Sequence, residues 1–164
     1  MAKALMIDYE KCTGCRLCEQ VCSVKHEGVS NPARSRIKVV KWEEEGLYIP
    51  MACQQCESAP CIATCPMNAC SRDENMGRIV NDYDRCIGCK TCIVVCPFGA
   101  VGFDPISKKI ISCDLCDGDP VCIKFCATKA LQYVEDSNIN KKQQRTAAEK
   151  LHEAKRSFVA ETAT

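Results

Sequence analysis

Sixteen of the seventeen cysteines in this 164-residue chain fall into four groups of four, and no other feature restricts the fold as much. The groups are Cys12, Cys15, Cys18 and Cys22; Cys53, Cys56, Cys61 and Cys65; Cys86, Cys89, Cys92 and Cys96; and Cys113, Cys116, Cys122 and Cys126. Cysteine makes up about 10% of the residues, the level that marks a cysteine-built scaffold. The 46% hydrophobic fraction counts these cysteines, so ordinary apolar residues fall below the usual share. Four tyrosines, four phenylalanines and Trp42 cannot fill a large core. Something other than side-chain packing is expected to occupy the interior.

The thiols could form disulfides or bind metal. Residues 1–7 carry no signal-peptide core, cleavage site or twin-arginine pair, so the expected location is the cytoplasm, where thiols stay reduced. An odd cysteine count also speaks against a disulfide framework. The longest apolar stretch, residues 93–103, is broken by Pro97, Gly99 and Gly102 and is too short to insert in a membrane. A formal charge of +1 excludes the basic footprint of a nucleic-acid binder.

Groups one and three share the spacing C-x2-C-x2-C-x3-C, which holds 4Fe–4S clusters in bacterial ferredoxins. Groups two and four keep the first and last gaps and lengthen the middle one. Three cysteines on one tight loop bring their thiolates to one compact core. The fourth is expected to begin a helix, point the other way and ligate a second cluster. Zinc is the alternative, but it takes two separated C-x2-C pairs and leaves the third cysteine of groups one and three without a task. Gly14 and Gly88 sit where the loop turns tightly and a Cβ would obstruct it.

An internal repeat runs through the chain. Asp8-Tyr9-Glu10-Lys11-Cys12-Thr13-Gly14-Cys15 aligns with Asp82-Tyr83-Asp84-Arg85-Cys86-Ile87-Gly88-Cys89. Short apolar segments precede both and read as strands. Cys65-Pro66-Met67-Asn68-Ala69-Cys70 aligns with Cys96-Pro97-Phe98-Gly99-Ala100-Val101 and Cys126-Ala127-Thr128-Lys129-Ala130-Leu131, each leading into a strand. Residues 37–41 and 47–49 predict a hairpin around Glu43-Glu44-Glu45-Gly46. Beyond residue 137 the spacing of Ala147, Leu151, Ala154 and Phe158 predicts a polar helical tail that docks on another protein.

Sixteen ligands suffice for four clusters, but the count leaves their pairing open. Pairing group one with two and three with four is one solution. Proline after the last cysteine of groups two and three, against Ser23 and Ala127 in the others, favours two with three and one with four. The expected sets are then Cys12, Cys15, Cys18 and Cys126 (cluster A); Cys113, Cys116, Cys122 and Cys22 (B); Cys53, Cys56, Cys61 and Cys96 (C); and Cys86, Cys89, Cys92 and Cys65 (D).

These groups, with Cys53-Gln54-Gln55-Cys56, Pro60-Cys61, Arg85-Cys86-Ile87-Gly88-Cys89 and Ser112-Cys113-Asp114-Leu115-Cys116, resemble the four-cluster ferredoxin-like electron-transfer subunits of molybdenum and tungsten oxidoreductases. They also resemble the electron carriers of hydrogenase and formate dehydrogenase complexes. The likeness covers about residues 4–135 and is nearest to short soluble members serving tungsten aldehyde oxidoreductases and benzoyl-CoA reductases. It implies the same outer-with-outer pairing. Ala127, where proline is common, and the short gap before Cys122 depart from the family without removing a ligand.

The resemblance implies an α+β fold of two interlocked ferredoxin-like modules, an inner one at about 53–105 and an outer one joining 1–22 to 106–136. An insertion at about 23–52 lies between them, and the tail follows from 137. It also implies a non-catalytic subunit that relays electrons to or from a catalytic oxidoreductase subunit with tungsten or molybdenum, alongside further electron-transfer subunits or ferredoxin. A hydrogenase or formate dehydrogenase complex, or a free polyferredoxin, are the alternatives. No phosphate loop, nucleophile triad or dinucleotide fingerprint points to catalysis. Cys70 aligns with Val101 and Leu131 and reads as buried packing, not as a ligand. His26 and His152 lie outside the ligand spacing; His26 reads as a surface residue, with tuning of a cluster as the alternative. Trp42 reads as cover for the hairpin, and Asp117-Gly118-Asp119-Pro120 as a solvated turn in preference to a cation site.

Overall fold

The protein is represented by a computed structural model that describes residues 3–135; the expected tail lies outside the described residues. Short apolar runs bounded by turn residues become strands, and every strand finds one partner. Strand β1 (Lys3–Ile7) pairs antiparallel with β8 (Leu131–Glu135), and β2 (Lys38–Trp42) with β3 (Leu47–Met51). Strand β4 (Cys70–Arg72) pairs with β5 (Ile79–Asn81), and β6 (Gly102–Asp104) with β7 (Lys109–Ile111). The hairpin expected around residues 43–46 is the β2–β3 pair, in register from Lys38↔Met51 to Trp42↔Leu47.

Four short helices separate the pairs: α1 (Leu17–Glu27), α2 (Pro60–Ala63), α3 (Thr91–Val95) and α4 (Val121–Lys124). Each begins one residue before the third cysteine of its group. The fourth cysteine does not begin a helix, contrary to the sequence-based expectation. Cys22 lies inside α1, and Cys65, Cys96 and Cys126 follow the ends of α2, α3 and α4. The x3 gap spans about one helical turn, so in group one Cys18 and Cys22 lie one turn apart on α1.

Helix α1 packs on α4, and α2 on α3. The strands follow the same plan: the strand leading into group one (β1) pairs with the strand leaving group four (β8), and that leading into group three (β5) pairs with that leaving group two (β4). Buried apolar residues fill what remains, Ile37, Ile79, Leu115 and Leu131 being the largest that are fully enclosed.

Side-chain bridges join distant parts of the chain. Gln55 accepts from the Ile79 amide at 2.6 Å and donates to the Cys113 carbonyl at 2.7 Å, tying loop two to group four. Glu19, 1% exposed, accepts from the Val39 amide at 2.7 Å and fastens α1 to the hairpin. Arg34 grips buried Asp104 with two bonds, Nε to Oδ1 at 3.1 Å and Nη2 to Oδ2 at 2.7 Å. Ser107 Oγ adds a third at 2.6 Å.

Burial alone would raise the Asp104 pKa, but these donors outweigh it and hold the carboxyl below the usual carboxylate range. A depressed folded value gives stability that is complete above the unfolded pKa of about 4 and drains away as pH falls towards the folded one. Asp104→Asn should therefore lower the denaturant midpoint most at neutral pH, and the gap to wild type should narrow below about pH 4.

The tight loops explain two glycines. Gly14 and Gly88 both have φ of +68°, a left-handed backbone that strains any side chain. A Cβ on Gly14 would lie 2.4 Å from the Tyr48 ring, and one on Gly88 would lie 2.4 Å from the Lys108 carbonyl oxygen. What obstructs the Cβ is thus the hairpin laid over each loop. Gly88→Ala meets rigid backbone and should cost about 2 kcal/mol or more. Faster thermal bleaching of cluster absorbance, relative to wild type, would register it.

Candidate metal centres

Loops one and three repeat one conformation. After the glycine, Arg16 (φ 59°) and Lys90 (φ 65°) also turn left-handed and cap α1 and α3. In loop three, Cys86, Cys89 and Cys92 all line one cavity. Groups two and four turn left-handed at Gln55 (φ 52°) and at Leu115 and Cys116 (φ 57° and 48°). The exits repeat too: Asn68, Gly99 and Lys129, each third after the last cysteine, have φ of 46°, 58° and 54°.

None of the seventeen cysteines is joined to another in a disulfide. One cavity is lined by Cys65, Cys86, Cys89 and Cys92, with Cys70 and Ile110 on its wall. Elsewhere the thiols act on one another electrostatically. Burial, then the charges of Cys61, Cys56 and Cys96, push Cys53 up to about 11 despite an amide bond. Burial, then Cys116 and Cys22, push Cys122 to about 12. Cys113 is raised by burial and by Cys122 and Cys22. Cys18 is pushed to about 12 by burial, Glu19 and Cys15.

Such sets are costly as bare thiolates, because low dielectric magnifies like-charge repulsion. A cationic core reverses the sign of that interaction, as any coordinated metal does for a thiol. Backbone amides are already aimed at the sulfurs. Arg36 N–H points to Cys22 Sγ at 3.3 Å, Ala69 N–H to Cys65 at 3.2 Å and Ala100 N–H to Cys96 at 3.4 Å. A converging all-sulfur donor set with N–H donors behind it fits iron–sulfur clusters.

Five residues outside the ligand sets take clearer places. Cys70 is 4% exposed on β4, as a packing residue should be, but its thiol also hydrogen-bonds Cys61, lowering the Cys61 pKa and raising its own. His26 is not a surface residue. Its side chain is 11% exposed, and Nε2 lies 3.5 Å from Cys116 Sγ and 3.6 Å from Asp114 Oδ1. It therefore reaches from the helix of group one to Cys116 of group four. Burial and nearby Arg36 hold its pKa below the usual histidine value. The spacing could not reveal this, because the contact spans 90 residues. Trp42 ends β2 and is half exposed. Asp117 and Asp119 are exposed and pair with Arg78 at 2.6 Å and Lys124 at 2.5 Å, as a solvated turn would.

Short strand pairs and helices wrapped round converging thiols define a cluster-binding protein. Residues 44–136 match the 4Fe–4S dicluster domain, and residues 3–24 match a 4Fe–4S binding domain. The chain belongs to the 4Fe–4S dicluster domain family. It is 43% identical over 123 residues to the polyferredoxin-like subunit of aliphatic sulfonate oxidoreductase from Pyrococcus furiosus, spanning 74% of this chain and 70% of that one. It is 34% identical over 180 residues to the electron transport protein HydN of Escherichia coli, spanning 90% of this chain and 98% of that one. Among solved structures, the active site complex BamBC of benzoyl coenzyme A reductase with benzoyl-CoA contains a chain with TM-score 0.50 and 28% identity, covering 90% of this chain and 89% of that one. Among the described residues no helix is long and apolar enough to cross a membrane.

Proposed function

We propose that this iron–sulfur electron-transport subunit relays single electrons through four 4Fe–4S clusters to or from a catalytic oxidoreductase subunit of the tungsten or molybdenum aldehyde oxidoreductase type. The observation that carries the reading is the convergence of thiols from different groups. The cavity lined by Cys65, Cys86, Cys89 and Cys92 supports cluster D. The influence of Cys61, Cys56 and Cys96 on Cys53 supports C. That of Cys22 with Cys113, Cys116 and Cys122 supports B. Cys12, Cys15 and Cys18 then remain for A, with Cys126. The pairing of β1 with β8 and of β4 with β5 favours two interlocked modules built this way.

When bound, each cluster supplies one-electron storage at a potential set by its surroundings. The chain supplies position, amide donors to sulfur and cover from water. Cys15 and Cys89 are exposed, so sets A and D reach the surface and suit electron entry and exit. Each set offers four thiolates and leaves no iron open for substrate, which supports a non-catalytic role. Cys70 stays outside the ligand sets. Free thiols throughout agree with a cytoplasmic location.

The relatives include a subunit of an oxidoreductase and a chain of a benzoyl coenzyme A reductase complex, which supports a catalytic partner here. Anaerobic purification from the native host tests the reading. A co-eluting subunit that contains tungsten or molybdenum by metal analysis is the expected result. Elution of the chain alone, with its iron intact, would favour a free polyferredoxin.

A further inference from the structure

We propose that His26 donates a hydrogen bond from Nε2 to the Cys116 sulfur and so raises the reduction potential of the cluster that Cys116 ligates. The proposal rests on the ligand reading above and deepens it. The geometry separates the two acceptors near Nε2. A nitrogen 3.5 Å from sulfur lies at an ordinary N–H···S length, given the larger sulfur radius, whereas 3.6 Å to a carboxylate oxygen is too long for a hydrogen bond. The carboxylate is also engaged elsewhere. Asp114 Oδ1 accepts from the Cys116 amide at 3.0 Å, and Oδ2 is taken by Arg36.

His26 is held where it stands. It occupies the last turn of α1, the helix that also carries Cys18 and Cys22. The same helix packs on α4, which carries Cys122. The ring therefore spans from the group-one helix to a group-four ligand. A neutral ring protonated at Nε2 and an imidazolium both place a hydrogen toward sulfur, so the role does not depend on charge state.

The physical effect has a definite sign. Reduction adds negative charge to the core and its thiolates, and a donor at sulfur stabilises the more negative state. Removing the donor should make that cluster harder to reduce. The Val121 amide also acts on the Cys116 sulfur, as other amides do on Cys22, Cys65 and Cys96. The imidazole adds a side-chain donor to that sulfur.

The test is potentiometry of the anaerobically purified holoprotein, followed by electron paramagnetic resonance, on wild type, His26→Leu and His26→Gln. His26→Leu should lower the midpoint potential of one cluster and leave the others in place. His26→Gln, whose amide can donate, should recover most of the shift. Unchanged potentials in a fully loaded His26→Leu protein would overturn the proposal. Should that variant load poorly, wild-type protein labelled with nitrogen-15 histidine keeps it open to refutation. The chain has only two histidines, so a hyperfine coupling from ring nitrogen to a reduced cluster, absent in His26→Gln, is expected, and its absence in wild type would count against the bond. Iron content separates the outcomes: a wild-type protein short of one cluster's iron would fail the ligand reading, while full iron without the shift would fail the hydrogen bond alone.

Discussion

Fully loaded protein should contain about sixteen iron atoms and about sixteen acid-labile sulfides per chain, the content of four cubane clusters. The number follows from sixteen cysteines in ligand spacing, with a seventeenth, Cys70, left over. A preparation saturated at about twelve of each would remove one cluster from the assignment. Substitution can also test the pairing. Cys96→Ser and Cys53→Ser should perturb the same electron paramagnetic resonance signal, although the two residues belong to different cysteine groups. Cys92→Ser, four residues from Cys96, should perturb a different one. If Cys96 and Cys92 altered a common signal and Cys53 another, the crossed ligand sets would be wrong.

Much of the frame was legible before any coordinates, because it is written in local spacing. Short apolar runs between turn residues gave the strands that lead into and leave the cysteine groups, and Glu43-Glu44-Glu45-Gly46 marked the β2–β3 hairpin. The internal repeat anticipated that residues 8–15 and 82–89 form like loops, and both show the same left-handed glycine. The helix starts were misplaced because no conventional capping residue announces them. Arg16 and Lys90 hold the capping positions with left-handed backbones, which their side chains do not favour, since the loop overrules propensity.

The rest was hidden for a different reason. His26 meets Cys116, Arg34 meets Asp104 and Gln55 meets Cys113 across 90, 70 and 58 residues of chain. No period or motif encodes such meetings; they arise from how the strand pairs stack. A polar residue near a cysteine group could have raised suspicion, but the spacing offered His26 only as a surface residue or a residue that tunes a cluster, with no partner named. Likewise the seventeenth cysteine read as packing from its alignment with Val101 and Leu131, which its burial matches, while its bond to Cys61 had no signature in the spacing.

Removing the clusters should unfold the chain, not merely bleach it. Each of the four sheets among the described residues has two strands, and an isolated pair is marginal in water. Three of the four α-helices among the described residues have only four or five residues, too short to stand alone. Of the 22 buried hydrophobic residues among those described, nine are cysteines, so the core is centred on sulfur. Bound clusters would fill that centre, and a structural metal contributes on the order of 10 kcal/mol to folding in small domains. Chelation under air should therefore abolish most far-ultraviolet circular dichroism and any cooperative melt near the holoprotein's. The bare thiols add a pH signature. Cys18, raised from 9.0 to about 12 by burial and then by Glu19, supports residual structure only while protonated. That support is complete below its unfolded pKa and lost as pH climbs through the folded one, so any remaining apoprotein structure should weaken between about pH 9 and 12. A cooperative apoprotein transition close to the holoprotein's, unmoved across that window, would show that side-chain packing alone holds the fold and that the clusters are passengers in it.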